Sequence, residues 1–266
     1  MSLAFALAFF LTVPAPATPG ASQIVQRSVA NTNRDWNAAP QFNFTERDII
    51  AKHGRKTVRT YQVLMLDGSP YNKLVKINDE PLSAPAAAAE DGKLQKEIAR
   101  RRQGSSAATE KRIAEYQSER RQDHALMAQM AHAFDYQLAG EETIDGRRCY
   151  VLDATPRPGY QPVSRDTKVL QGMRGRLWID TTDYQWVKVQ AEVFRPVTFG
   201  LFIAHVEPGT EFTLEQQPVS PDLWLPVHFS VRVDAKILFA SRHSLDDETY
   251  SSYRRASGNS SPRGGR

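Results

Sequence analysis

The chain lacks most of the features by which a protein declares its chemistry. Its 266 residues include one cysteine, Cys149, so no disulfide can form within the chain and a cysteine-rich metal site is excluded. The histidines form no H-x-H or H-E-x-x-H pair. His124 and His132 fall two helical turns apart, too far to hold one ion unaided. There is no G-x-S-x-G elbow, and Gly172-Met-Arg-Gly-Arg lacks the spacing of a phosphate loop, so it reads as a polar inter-strand loop. Glu141-Glu142 and Asp246-Asp247 are neighbours in sequence, and neighbours on a strand point to opposite faces, so neither is a ready acid–base dyad. After the first residues no stretch is apolar enough to cross a bilayer. The net charge of +4 is too small to argue for nucleic acid, and the basic segments lack interleaved aromatics. With 41% apolar and 24% charged residues, wholesale disorder, collagen and a polytopic membrane protein are excluded.

What is present begins at the N-terminus. Residues 1–13 are an apolar run of secretory length, followed by Ala15-Pro16-Ala17, a small-residue cleavage site. The expectation is a signal peptide over 1–17 and export to the periplasm or cell envelope. A short membrane anchor is the alternative, and the run falls short of the ~20 residues that a span needs. No cysteine stands at the cleavage site to carry a lipid.

The body of the chain has strand grammar. A short amphipathic helix over 22–36, with Ile24, Val25, Ser28 and Val29 at helical spacing, leads into it and ends by Pro40. Strands fill 42–82, with Asp67-Gly68 as a hairpin turn, because both residue types tolerate positive φ. They resume at Phe134 and run almost to the end. Asp145-Gly146 is a second turn. A Thr-Thr-Asp loop joins 174–180 to 184–194, and 201–206 and 211–217 flank Pro208-Gly209. In the 184–194 strand Val187, Val189, Ala191 and Val193 alternate with Trp186, Lys188, Gln190 and Glu192. In the 229–237 strand Phe229, Val231, Val233, Ala235 and Ile237 alternate with polar residues. Each pattern predicts one buried and one wetter face. About ten antiparallel strands are expected, closing into a barrel or curling into an open one. Cys149 lies in a strand-like run and reads as a buried, inert thiol.

Segment 83–133 is helical. Pro85 and alanines open it, and Leu94 and Ile98 lie on one face. Gly104 breaks it, and a second helix from about 107 carries Ile113, Tyr116, Leu126, Met127, Met130 and Phe134. The opposite face is basic: from Lys93 to Arg121 the local charge is +5, from Arg254 to Arg266 it is +4, and the remaining chain carries −5. Such helices cover something and are not a core by themselves.

The hairpins Ile144-DGRRCYVLDATP and Arg176-LWIDTTDYQWVKVQAEV, in which an aspartate closes a strand before the turn, resemble those of the outer-membrane lipoprotein-sorting family (LolA/LolB-like). With the signal, the leading helix and the inserted helical pair, the resemblance spans 22–253. It implies a mainly β, α+β fold: a curved antiparallel sheet forming an unclosed barrel with a helical lid, in one domain. By its own composition the basic tail over 254–266 reads as disordered, and it is a departure from that family. It implies an apolar cavity for acyl chains.

The expected function is an envelope carrier that binds lipid or an acylated lipoprotein by burial, without catalysis, metal or cofactor. The alternative is an envelope-stress sensor or protein-interaction module on the same fold, and a hydrolase ranks below both. Candidate cavity and lid residues are Leu126, Met127, Met130, Phe134, Trp178, Val187, Val189, Phe229, Val231 and Val233. The Leu126–Met130 stripe has a plain reading, packing on the sheet, and a functional one, a pliable lid, since methionine adapts to varied shapes. Trp178, Trp186 and Trp224 are read as core, or as an aromatic rim. Lys93, Lys96, Arg100, Arg101, Arg102, Arg120 and Arg121 are read as a solvated helix face or as contacts to an anionic membrane surface, where each would contribute about 1 kcal/mol. A monomer without nucleic acid is expected.

Overall fold

The computed structural model describes residues 19–52, 54–199, 204–206, 208–237 and 240–256. The signal segment 1–17, most of the basic tail and part of the 201–206 strand lie outside the described residues.

Helix α1 (Ala21–Ala38) leads through a 3-10 turn at Ala39–Gln41 into β1 (Phe42–Lys52), β2 (Arg55–Leu66), β3 (Ser69–Ile77) and β4 (Glu80–Pro81). Helices α2 (Ala84–Gln103) and α3 (Ser106–Ala133) follow. Then come β5 (Phe134–Ile144), β6 (Arg147–Pro156), a 3-10 segment (Asp166–Gly172), β7 (Met173–Asp180) and β8 (Trp186–Val193). The chain closes with β9 (Val197–Phe199), β10 (Ala204–Val206), β11 (Thr210–Ser220), β12 (Leu223–Ile237) and β13 (Ala240–Arg255). Among the described residues strands β9 and β10 pair only with each other; the rest form one eleven-stranded antiparallel sheet in the order β4-β3-β2-β1-β13-β12-β11-β8-β7-β6-β5. It does not close, because β4 and β5 are its two edges.

That order explains the helices. The chain leaves the sheet at one edge and re-enters at the other, so the α2–α3 segment must travel the width of the sheet. Pro85 in the first turn of α2 fits a position whose N–H has no helical partner. The Ser105 hydroxyl accepts from the Ala108 N–H and starts α3. At ~1.5 Å per residue, the 28 residues of α3 reach about 42 Å. One end meets the β2–β3 turn, where Arg112 donates to the Asp67 carbonyl. At the other end the Arg157 N–H bonds the Ala133 carbonyl. Helix α2 instead braces β3, with Lys73 and Asp91 ion-paired at 2.5 Å.

Both expected hairpins have their turn residues at positive φ, 44° and 85° at Asp67-Gly68 and 48° and 79° at Asp145-Gly146. A third such turn, Asn78-Asp79, joins β3 to β4 and was not foreseen. A Cβ at Gly68 would also meet Ile113 of α3 at 2.9 Å, so this glycine serves both the turn and the close approach of the helix. The stretch read as a polar loop at Gly172 instead enters β7. There Arg174 pairs with Glu192 and Arg176 with Asp153, across neighbouring strands. Strand β13 runs through Arg255, which pairs with Phe42, so Arg254 and Arg255 belong to the sheet and not to a disordered tail.

Most of the core lies between α1, the end of α3 and strands β5–β8. It includes Ile24, Val25, Leu152, Leu177, Ile179, Trp186 and Val193. Helix α1 is also held by buried polar bonds. The Ser28 hydroxyl accepts from Trp186 Nε1 at 2.9 Å. Asp35 accepts from Gln185 Nε2 at 2.8 Å and from the Trp224 N–H at 3.2 Å. On the outer face of the sheet Cys149, Val151, Trp178, Val187 and Trp224 form a second, small cluster.

Candidate functional site

Between the inner face of the sheet and helices α1 and α3 lies a cavity of about 820 Å³. Sites for small ligands commonly enclose roughly 300–1,000 Å³ and have mostly apolar walls. Here the sheet contributes Phe44, Val63, Met65, Leu177, Trp186, Val189, Phe212, Leu214 and Phe229, while α3 contributes Leu126, Met127 and Met130. Phe134 stands where α3 ends. Period-2 geometry explains the sheet side: Phe212 and Leu214 share one face of β11, and Leu214 lies opposite Phe229.

Of the cavity residues expected from sequence, Leu126, Met127, Met130, Phe134, Val189 and Phe229 meet at these walls. Val231 and Val233 are on the same inner face, opposite Phe212 and Thr210, but beyond the cavity. Trp178 and Val187 are corrections: both pack on the outer face. The cause is a β-bulge. Ile179 pairs with Trp186 and Trp178 with Lys188, which leaves Val187 as an extra residue. One extra residue exchanges the faces on its two sides, so Trp186 turns inward beside Val189, and Val187 turns outward. Trp178 Nε1 then donates to Glu142 at 2.8 Å on the outer side.

The polar part of the wall was not foreseen. Glu46 on β1 and Glu248 on β13 line it, with Tyr250 and Tyr253. Tyr250 donates to Glu248, and Tyr253 donates to the Pro226 carbonyl at 2.6 Å. Burial, then the neighbouring Asp48, then Glu248 push the Glu46 carboxyl up to about 8. Period-2 spacing could have placed Glu46 and Asp48 on one face, but only the β1–β13 pairing, joining the two ends of the chain, brings Glu248 to them.

The basic residues divide. Lys93, Lys96, Arg100, Arg102 and Arg121 are exposed. Lys93 is paired with Glu90 and Arg100 with Glu97, both at 2.6 Å. Arg101 and Arg120 do not belong to that face, which corrects the expectation of membrane contact for them. The Arg101 side chain is 4% exposed. It donates to the carbonyls of Leu66, Ser69 and Pro70 and to Glu97, clamping α2 onto the β2–β3 hairpin. Together Arg100, first, and Arg101 hold the Glu97 carboxyl down at about 2. Arg120 turns inward: it lies over the Trp36 ring, 3.9 Å from its centre, and lines the cavity. Trp36 in turn stacks on His124, with ring centres 4.2 Å apart.

Cys149 is fully buried, and burial, then Asp180, push its thiol up to about 11, which disfavours the reactive thiolate. Among the described residues no group of three His, Cys, Asp or Glu side chains could hold a metal ion, and no helix is long and apolar enough to cross a membrane.

No family model and no curated protein matches the chain. Solved structures do resemble it along most of its length. A LolA superfamily protein from Nitrosomonas europaea is 12% identical, over 90% of this chain and 94% of that one, with a TM-score of 0.35. A Vibrio parahaemolyticus domain described as an outer membrane lipoprotein-sorting protein is 11% identical, over 89% and 95%, at 0.37. The Pseudomonas aeruginosa MucA/MucB complex is 12% identical, over 87% and 99%, at 0.25. The likeness includes proteins described in the terms of the family that the hairpins resemble. At these identities and scores it assigns neither family nor function, so function has to be read from the cavity itself.

Proposed function

We propose that this chain is an envelope protein that carries lipid or acylated protein by burying acyl chains in the cavity under α3, without chemistry. One observation carries the proposal: a largely apolar hollow of about 820 Å³ inside a sheet whose neighbouring parts are well packed. An apolar void is costly to keep, because its lining forgoes packing contacts. Each acyl CH₂ moved from water into it contributes ~0.8 kcal/mol, so one or two chains give tight binding. The methionines of α3 suit chains of varied shape. Release then requires α3 to lift or a partner to compete for the chains. The apolar run at 1–13 supports export to the envelope.

The test is direct. Full-length protein purified from membranes is extracted with organic solvent, and the empty protein is titrated with a neutral apolar fluorophore. Co-extracted lipid and saturable fluorescence are expected. The variant Ala191→Phe, which places a ring in the cavity wall, should abolish the fluorescence response and leave the circular dichroism unchanged. An empty protein that gives no response, and that co-purifies with a single polypeptide, would overturn the carrier reading in favour of an interaction module.

A further inference from the structure

One member of the cavity-facing stripe of α3 breaks its polarity. Tyr116, Arg120, Met127 and Met130, with Phe134 at the helix end, all line the cavity. These positions repeat at helical spacing on one face, where an apolar residue is the expected occupant of position 120. The guanidinium there is half-buried, and the ionisable side chains coupled to it are Tyr116 and His124, neither of them an acid that is charged at neutral pH. No carboxylate pairs with it among the described residues. Burial holds its pKa below the ordinary arginine value, since a cation is being withdrawn from water, yet arginine stays charged at neutral pH.

Among the described residues its contacts fix its place and engage only part of its donors. One terminal nitrogen donates to the Trp36 carbonyl, in the last turn of α1. The other reaches Gln117 Oε1 at 3.4 Å. The plane lies over Trp36 and 5.7 Å from the centre of the Tyr116 ring. Of five N–H donors, these bonds engage two. The acids of the lining, Glu46 and Glu248, stand on the sheet, and burial, then Asp48, raise the Glu46 carboxyl well above its ordinary range.

We propose that Arg120 receives the headgroup of the ligand, which is therefore an anionic amphiphile: a carboxylate or phosphate head on an apolar chain. The head pairs with the guanidinium, whose fork suits both anions. The chain lies along Met127, Met130 and Phe134, an apolar wall whose far end stands roughly 21 Å from Arg120 at 1.5 Å per residue. This rests on the carrier reading of the cavity and adds the class of ligand to it.

The experiment displaces a neutral apolar fluorophore from the full chain with four ligands that share one acyl length: palmitate, palmitoyl-lysophosphatidate, hexadecanol and hexadecylamine. At least one anion should displace the probe at a concentration about tenfold below that of the alcohol and the amine. Arg120→Met should bring the anions to the level of the alcohol and leave the alcohol unchanged, and Arg120→Lys should keep part of the preference. Whether palmitate, lysophosphatidate or both show the preference decides between a free fatty acid and a phospholipid source. Equal displacement by all four ligands, or a preference for the amine, overturns the proposal. So does an Arg120→Met variant that weakens all four alike, which would mark a residue that only pins α3 to α1. Arg120→Gln serves as the second variant should the methionine form fail to fold. If the probe binds and the headgroups are not distinguished, this inference alone fails. If the probe does not bind the wild-type chain, the carrier reading fails with it.

Discussion

Strands β6 and β1 both lie within the sheet, each paired on two sides, yet they are packed differently. Five of the ten residues of β6 are buried, against one of the eleven of β1. Around β6 both faces are covered, the inner by α1 and the end of α3, the outer by the Trp178–Trp224 cluster. Around β1, β2 and β13 the inner face borders the cavity, through Phe44, Glu46, Val63, Met65, Glu248 and Tyr250. The two halves therefore differ in packing. The packed half holds α1 and the end of α3 in place, and the other half borders the hollow. Stability should therefore depend chiefly on the first half, and ligand affinity on the cavity wall, to which the first half gives Leu177 and Val189 and the second Phe44 and Phe229.

The largest effect expected is in the packed half. Trp186→Ala removes a ring only 2% exposed, together with its bond to Ser28, and should cost about 3–5 kcal/mol in urea unfolding. Phe229→Ala removes a ring of the same cavity wall that is only half-buried and should cost only about 1–2 kcal/mol while weakening the apolar probe. Equal losses of stability at the two sites would mean that the halves are not distinct.

Next is the clamp at the rim of the hollow half. Arg101→Ala strands the carbonyls of Leu66, Ser69 and Pro70 and should cost about 2–3 kcal/mol. Amide exchange should locate the loosening in β2, β3 and α2, with β5–β8 still protected.

The pH response should also separate the halves. Glu46 titrates at about 8 in the folded chain, against 4.5 as its ordinary value. A carboxyl with a raised folded pKa binds its proton more tightly when folded. Its contribution to stability is therefore intact below about 4.5 and is lost as the pH rises from there to about 8. Asp48, Glu248 and Tyr250 on β1 and β13 face it, with Tyr61 of β2 opposite, and Arg59 acts on Asp48. Glu46→Gln should flatten that decline in a series of urea midpoints and be more stable than the wild type at pH 8. An unchanged slope would place the titration elsewhere.

Much of this was legible in the sequence, for local reasons. Asp-Gly turns, alternating strands and the Gly104 break are decided by neighbouring residues, and the structure has them. The faces of Trp178 and Val187 were not legible, because a single bulged residue reverses the alternation and nothing in the composition of β8 marks it. Arg101 and Arg120 looked like their exposed neighbours for a related reason. A long cationic side chain is counted as surface until the carbonyls or rings that receive it are known, and those come from residues 31–35 and 84 positions away. Helix α3 carries only a weak apolar stripe for the same reason, since one of its inward positions is an arginine. The hollow itself is set by which distant strands pair, above all β1 with β13.

The smallest expected change in stability concerns the exposed basic face, and it tests whether that face works independently of both halves. Lys96, Arg102 and Arg121 are exposed, and no ion pair is found for them among the described residues. Replacing each with alanine should alter stability by less than about 0.5 kcal/mol, since exposed charges away from structural contacts contribute little. If the face meets an anionic membrane, each loss should still weaken adsorption to vesicles containing phosphatidylserine by about fivefold at low salt, at ~1 kcal/mol per basic residue, and the differences should fade as salt is raised. Binding of the apolar probe should not change, because none of the three lines the cavity. A triple variant that adsorbs like the wild type would leave these residues as a solvated helix face and confine function to the cavity.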